Sequence, residues 1–382
     1  MIDINDVFFE LIQVSLGNRV CLSRTPSEGE WSNLFEMSMK QSLVGICFVG
    51  VQHLQKQNLP ELLYLKWMGL AAKIQQRNEV LNRQCIELQR SLATEGFCSA
   101  ILKGQGIGAL YGDLSRLRQS GDIDVWIPNG IEASMRWIEI NYGKVEFDYI
   151  NAHVPCFSDT EVELHWRVQA LSNLFLNKKL QRWLGQEKVK EMVMKGKATL
   201  KFSEHTENNA HIVTPSAEFN AFYILLHCYH HMFECGLGLR QLMDYYFVLR
   251  DVQTKNFDDF NVSEFHVLLR QFGMMRFAKG VMWVVAHIFA SYDDTPNFYL
   301  GIEPNEKEGR FLLNEVMQGG NFGHHDERIT KMSKDSRWQS VWSQLQHSLG
   351  LAAHYPSNMF WQPVWVVYHY FWKRTAARRW MR

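Results

Sequence analysis

Charge of a prevailing sign is missing from this 382-residue sequence: Lys plus Arg and Asp plus Glu each total 40. A balanced chain has no global field to draw it to nucleic acid or an anionic membrane, so any such attraction must be local. Cysteine is sparse and ill-placed for pairing. The seven (Cys21, Cys47, Cys85, Cys98, Cys156, Cys228 and Cys235) are odd in number, scattered and free of any C-x-x-C, which argues for reduced thiols rather than a disulfide framework. Long apolar runs are missing too. The longest, Pro363 to Trp372, is too short for a bilayer and contains His369, so no transmembrane segment is expected. The stretch MIDINDVFFELIQV carries Asp3, Asp6 and Glu10 where a secretion signal needs positive charge. Repeats and low-complexity tracts are lacking as well. Together these absences predict a soluble, cytoplasmic protein. At 46% apolar and 21% charged residues the chain has an ordinary globular balance, and its length suits two or three domains.

Three segments follow from the patterning. Residues 1–95 read as helices, with apolar residues at helical spacing in Val7, Phe8, Leu11, Ile12 and Val14 and again in Leu34, Met37, Leu43 and Val44. A longer helix follows Pro60, its stripe running through Leu63, Trp67, Leu70, Ile74, Leu81, Cys85, Leu88 and Leu92 to a glycine cap at Gly96. This segment shows no chemical constellation, and packing is its expected role. Residues 96–212 change texture. A short apolar run, Cys98 to Leu102, ends at Lys103-Gly104 and passes into the helix-like IGALYG and a polar link, Asp113 to Ser120. Then come the strand GDIDVWIP, a helix from about Ile131 to Ile140, the strand-like KVEFDYI, and a hairpin of HVPCF and EVELHWRV turning at Ser158-Asp159-Thr160. Residues 213–382 return to helices, the most regular being Glu218 to Arg250, apolar almost all round and so a buried helix or helical pair. The predicted class is α+β, a small mixed-sheet domain flanked by mostly helical segments.

The chemistry concentrates in Gly121-Asp122-Ile123-Asp124-Val125-Trp126-Ile127. Strand side chains alternate, so Asp122 and Asp124 share one face while Ile123, Val125 and Ile127 enter the core. Two neighbouring carboxylates repel and are costly near a core unless a cation neutralises them. Magnesium suits the task, completing its shell with water and phosphate oxygens. By the same logic, Asp124→Asn should leave the metal-free protein as stable or slightly more so. The plainer reading is a solvated D-x-D on an exposed edge strand. A second strand shifts the balance: Glu161, Glu163, His165 and Arg167 lie on one face and Val162, Leu164, Trp166 and Val168 on the other, so Glu163 can bring a third carboxylate to the same ion. Lys103 and Gly104, at a strand end where a helix begins, suit phosphate, and Arg118 and Ser120 can add contacts to its oxygens.

LKGQGIGALYG, RQSGDIDVWIP, VELHWRV and LLHCYHHMFECGLGLRQLMDYYFVLR in combination resemble the uncharacterised nucleotidyltransferase family, part of the DNA polymerase β-like nucleotidyltransferase superfamily. The motifs span roughly residues 100 to 250. The resemblance implies a polymerase β-like domain that moves a nucleoside monophosphate from an NTP to a hydroxyl or phosphate acceptor, with Mg²⁺ or Mn²⁺. It makes Asp122 and Asp124 the paired metal ligands and puts Glu163 at the third acidic position, as ligand or base. Lys103 and Gly104 fall where better-known members have a Gly-Ser turn at the triphosphate; here Gln105 follows Gly104, so the phosphate grip differs. The acceptor stays open among a sugar phosphate, a small alcohol, a protein hydroxyl and RNA.

Other readings compete. A silent nucleotide- or partner-binding module could keep the fold without turnover. Gly104-x-Gly106-x-x-Ala109 matches a dinucleotide fingerprint, but Asp122 and Asp124 precede their apolar strand rather than end it. His227, Cys228, His230, His231 and Cys235 sit close enough for zinc, although histidines satisfied by hydrogen bonds in a buried helix, or lining the cleft, are the stronger expectation. Arg240 and Asp244 form an i,i+4 pair, read first as structural. The segment from Trp361 to Arg382 lacks acids and interleaves Lys373, Arg374, Arg378, Arg379 and Arg382 with Trp365, Phe371, Trp372 and Trp380. Such a tail can bind RNA or a membrane surface, but docking its aromatics on the core is the commoner use.

Overall fold

The computed structural model describes residues 3–54, 58–202, 210–234, 236–256, 258, 260–289, 296–320 and 351–380; Cys235 and Arg382 lie outside them. Four helices come first: α1 (Ile4–Ser15), α2 (Glu28–Lys40), α3 (Val44–His53) and α4 (Glu61–Thr94). Ser27 caps α2 through a reciprocal capping box with Glu30. The long α4 stops where Gly96 takes φ +84°, a conformation open to glycine, while Phe97 N–H donates to the Leu92 carbonyl.

The sheet follows. Strands β1 (Ala100–Ile101), β2 (Ile123–Trp126), β3 (Asn151–Val154) and β4 (Val162–His165) assemble in the order β1-β2-β4-β3. β2 and β4 run parallel, with β1 and β3 antiparallel at the two edges. One turn of helix, α5 (Gln105–Gly108), and a 3₁₀ segment, Ala109–Leu117, join β1 to β2; α6 (Gly130–Tyr142) crosses from β2 towards β3. The stretch predicted as the strand KVEFDYI is a turn instead, its one bridge joining Phe147 to Ala152. Ile123, Val125, Val162 and Leu164 pack with Leu81, Cys85 and Leu88 of α4 and Ile138 of α6 in a core beneath the sheet. Because β-strand side chains alternate, that buried face leaves the polar residues of β2 and β4 on the other.

Helices α7 (Leu174–Leu184) and α8 (Glu187–Lys195) and the hairpin of β5 (Gly196–Leu200) with β6 (Ala210–Thr214) lead into α9 (Ala217–Glu234) and α10 (Leu239–Asp251), the pair expected from the apolar run. After α11 (Val262–Gln271), α12 (Met275–Ile288) and α13 (Glu306–Gly319), the helix Pro356–Trp380 ends the described chain and is called here the C-terminal helix. Buried residues of α1–α4 and of α9–α13 share one hydrophobic core, so the first and last helical segments pack as one body around the sheet domain. No helix among the described residues is long and apolar enough to cross a membrane.

Candidate active site

The polar sheet face opens into a cavity of about 840 Å³ whose far wall is α9 and α10. The parallel register sets Asp124 directly beside Glu163, and β3 continues the row with His153 beside Glu163 and Asn151 beside His165. Asp122, at the mouth of β2, lines the same cavity, as do Lys103, Gly104, Arg118 and Ser120. All seven residues singled out in the sequence therefore meet in one cleft.

Their contacts assign them different work. Asp124 is 2% exposed, and its Oδ1 lies 2.8 Å from Lys103 Nζ and 3.0 Å from His165 Nε2. His165 Nε2 also lies 3.2 Å from Glu163 Oε2, and Asn151 Nδ2 donates to that oxygen at 2.6 Å. Burial alone would raise the Asp124 carboxyl and lower the His165 imidazole, but the contacts reverse both. Lys103 and His165 hold Asp124 well below the usual carboxylate range. Hydrogen bonds to Asp124 and Glu163 push His165 up to about 9. Lys103 is raised likewise, the attraction of Asp124 outweighing its burial. Asp122, without such partners, is raised by burial and then by the charge of Asp124.

His165 was visible only as a member of a polar strand face; its buried position between two carboxylates emerges from the β2–β4 register. Ligand atoms of Asp124, Glu163 and His165 lie within 4.8 Å of one another, as do those of His153, Glu161 and Glu163. Both sets could hold a metal ion. Among the described residues Asp122 belongs to neither set, and each set includes a histidine rather than three carboxylates.

Arg118 lines the cleft from within a buried ion pair. It is 3% exposed, its Nε and Nη2 each donate to Asp244 at 2.7 Å, and Nη1 donates to Ser120 Oγ. Asp244 thus pairs bidentately with Arg118 and only at 3.8 Å with its helical neighbour Arg240. Tyr111 adds a hydrogen bond to Asp244, and Asn78 on α4 donates to the carbonyls of Arg116 and Arg118. Packing is therefore not the whole role of the first helical segment, because α4 pins the loop that carries Ser120 and Asp122.

Gly104 has φ +51°, open to glycine, and the α5 helix behind it is a single turn. So short a helix offers little dipole. Gln105, standing where a serine would belong, turns inward to donate to Asn82. The dinucleotide alternative falls with the topology, since β1 is antiparallel to β2 and no βαβ unit exists there.

His227 and His231 face each other across one turn of α9, Nε2 to Nε2 at 3.0 Å, and His230 pairs with Glu234. Burial, followed by the positive charges of Lys103 and neighbouring histidines, pushes His227 and His231 well below the usual imidazole range, so they are neutral donors and acceptors on the cleft wall. Among the described residues they join neither ligand group. The C-terminal helix docks two of its aromatics, Trp365 and Trp372, which meet Tyr149 edge-on with ring centroids 5.1 and 5.0 Å apart, while Phe371 stays 61% exposed.

A family model described as "Uncharacterised nucleotidyltransferase" matches residues 27–290 of the chain. No curated protein and no solved structure matches it.

Proposed function

The chain belongs to the uncharacterised nucleotidyltransferase family, and from that premise we propose that it transfers a nucleoside monophosphate from an NTP to a hydroxyl or phosphate acceptor, releasing pyrophosphate. The observation that carries this reading is the pairing of Asp124 with Glu163 across parallel strands, in a cavity that also holds Asp122 and Lys103. Asp124 and Glu163, with Asp122 at the cavity mouth, would hold Mg²⁺ or Mn²⁺. The donor chemistry fits, since hard carboxylate oxygens suit both ions. Such an ion, when bound, supplies charge neutralisation at the phosphate under attack.

The chain's own residues do the rest. Asn151 and His165 fix the Glu163 carboxylate, and His165 also fixes Asp124. Lys103 trades Asp124 for phosphate when nucleotide arrives. Gly104 lets the chain approach the triphosphate, and Ser120, oriented by Arg118, offers a hydroxyl to it. Catalysis then rests on positioning and electrostatics rather than on a covalent enzyme intermediate.

One observation favours a second reading. Lys103 and His165 already neutralise Asp124, so a silent nucleotide-binding module could keep this cluster without turnover. Incubating the protein with each α-labelled NTP, Mg²⁺ or Mn²⁺ and host lysate separates the two. A labelled product formed by the parent and lost in Asp122→Asn supports transfer. Metal-dependent NTP binding with no product for any NTP supports the module.

A further inference from the structure

The Lys and Arg side chains of the cavity are confined to one end, where Asp122, Asp124 and Asp244 also stand. The three, Lys103, Arg118 and Arg240, stand at the β1–β2 end or on the α10 wall beside it. The β4–β3 end has none. There the lining is Glu161, His153, Asp148, Gln169 and, from the C-terminal helix, Trp365 and His369. Arg167 lies over the Tyr149 ring at 4.1 Å and donates to the Tyr149 carbonyl; it is not part of the lining.

In-line displacement gives the two ends different tasks. The attacking and leaving oxygens lie on opposite sides of the phosphorus. With pyrophosphate drawn to Lys103 at the β1–β2 end, the acceptor oxygen arrives from the β3 side, where the C-terminal helix stands. That helix is firmly seated. Trp365, His369 and Trp372 follow one another along one helix face with near-parallel rings, at 15° and 14°. Trp372 is anchored on Phe147 and Tyr149, and His369 is hydrogen-bonded to Asp148. Trp365, at the cavity end of this ladder, is half-buried and lines the cleft.

Resting on the transferase reading, the geometry points to Trp365, flanked by His369, Asp148 and Glu161, as the acceptor platform, and to a polyhydroxylated ring without negative charge as the acceptor. An indole face accepts the C–H face of such a ring, while carboxylates and imidazoles take its hydroxyls. A phosphorylated acceptor or an RNA end would meet Asp148 and Glu161 with no Lys or Arg lining that end to offset them. Trp365 and His369 also lie outside residues 27–290, so the platform draws on a part of the chain beyond the family match.

The test is calorimetric titration of the full-length protein with a panel of methyl glycosides and the matching sugar 6-phosphates, first alone and then with Mg²⁺ and a non-hydrolysable NTP analogue. At least one uncharged glycoside should bind, and more tightly than its phosphate. Trp365→Ala should weaken that binding about tenfold, the scale of one lost ring contact, while Trp365→Phe restores most of it and shows that the fold survives. Affinity for the NTP analogue should stay unchanged in both variants. The assignment is overturned if the phosphates bind better, if no glycoside binds, if Trp365→Ala binds glycoside like the parent, or if it loses NTP affinity, which would give the platform to the nucleobase. Absence of NTP binding by the parent strikes the transferase reading instead, because the glycoside titration is read without nucleotide.

Discussion

Asp124 is the residue on which repulsion and attraction are weighed. From sequence, two or three adjacent carboxylates predict relief when one is neutralised. The structure reverses that sign, because Lys103 and His165 are both within 3.0 Å of Asp124 Oδ1. Asp124→Asn should therefore destabilise the metal-free protein by about 1.5–3 kcal/mol, the scale of a hydrogen bond to a charged group. It should also abolish any rise in melting temperature caused by Mg²⁺ with NTP. A variant as stable as the parent would show that repulsion dominates after all. His165 gives the pH dependence of the same cluster. Its folded pKa of about 9 exceeds the ordinary 6.5, so its stabilisation is complete below pH 6.5 and is lost as pH rises through 9. In chelator, the melting temperature should fall across that window, and His165→Asn should flatten the fall. A parent profile that is already flat would remove His165 as the counter-charge. Arg118 carries a larger stake. Arg118→Ala leaves Asp244 buried without its bidentate partner and should cost about 3–5 kcal/mol in denaturant unfolding, a loss seen with no nucleotide present. Unchanged stability with weakened NTP binding would return Arg118 to the phosphate.

At the scale of elements, local signals served well where they coincided with local causes. Pro60, the apolar stripe and Gly96 bounded α4, and alternation in EVELHWRV identified β4 and its polar face. KVEFDYI misled for a physical reason. Val145, Phe147 and Tyr149 alternate as in a strand, but Phe147 and Tyr149 find their apolar partners in Trp365 and Trp372, more than 200 residues on. No strand-period argument can see a helix that distant in sequence. The polar residues of α4 were passed over for a similar reason. Asn78, Asn82 and Gln84 look like solvated positions until the 116–118 loop, Gln105 and Thr160 arrive to bond them. Gly106 is a glycine for packing, not for a dinucleotide. A Cβ there would meet Thr214 Cγ2 at 2.9 Å and the Ile101 carbonyl at 3.0 Å, wedging α5 away from β1 and β6. Gly106→Ala should cost about 1–3 kcal/mol by overpacking, and the melting temperature should drop whether or not nucleotide is present. No drop would mean that α5 moves freely, and with it Lys103.

For the whole molecule, the cleft exists because the helical body closes over the polar face of the sheet. Strand alternation made Asp122, Asp124 and Glu163 legible as one site; the wall of α9 histidines and the Arg118–Asp244 tie depend on chain closure and were not. That closure makes Lys103 the residue that distinguishes transfer from silent binding. If it serves both Asp124 and phosphate, its removal must act in two directions. Lys103→Ala deletes a charge-assisted phosphate contact and should weaken NTP binding by about 1.5–3 kcal/mol, roughly tenfold or more. It also leaves Asp124 without a cation at 2.8 Å, so affinity for Mn²⁺ alone, measured by titration without nucleotide, should rise. Asp122→Asn should differ from it, losing product formation almost completely while NTP affinity falls less, because charge neutralisation at the phosphate matters most in the transition state. In a silent module both substitutions alter affinity alone, and the parent makes no product. Should Lys103→Ala leave both Mn²⁺ and NTP affinity unchanged, the lysine is an ion-pair partner in the fold only, and Ser120 becomes the next residue to test at the triphosphate.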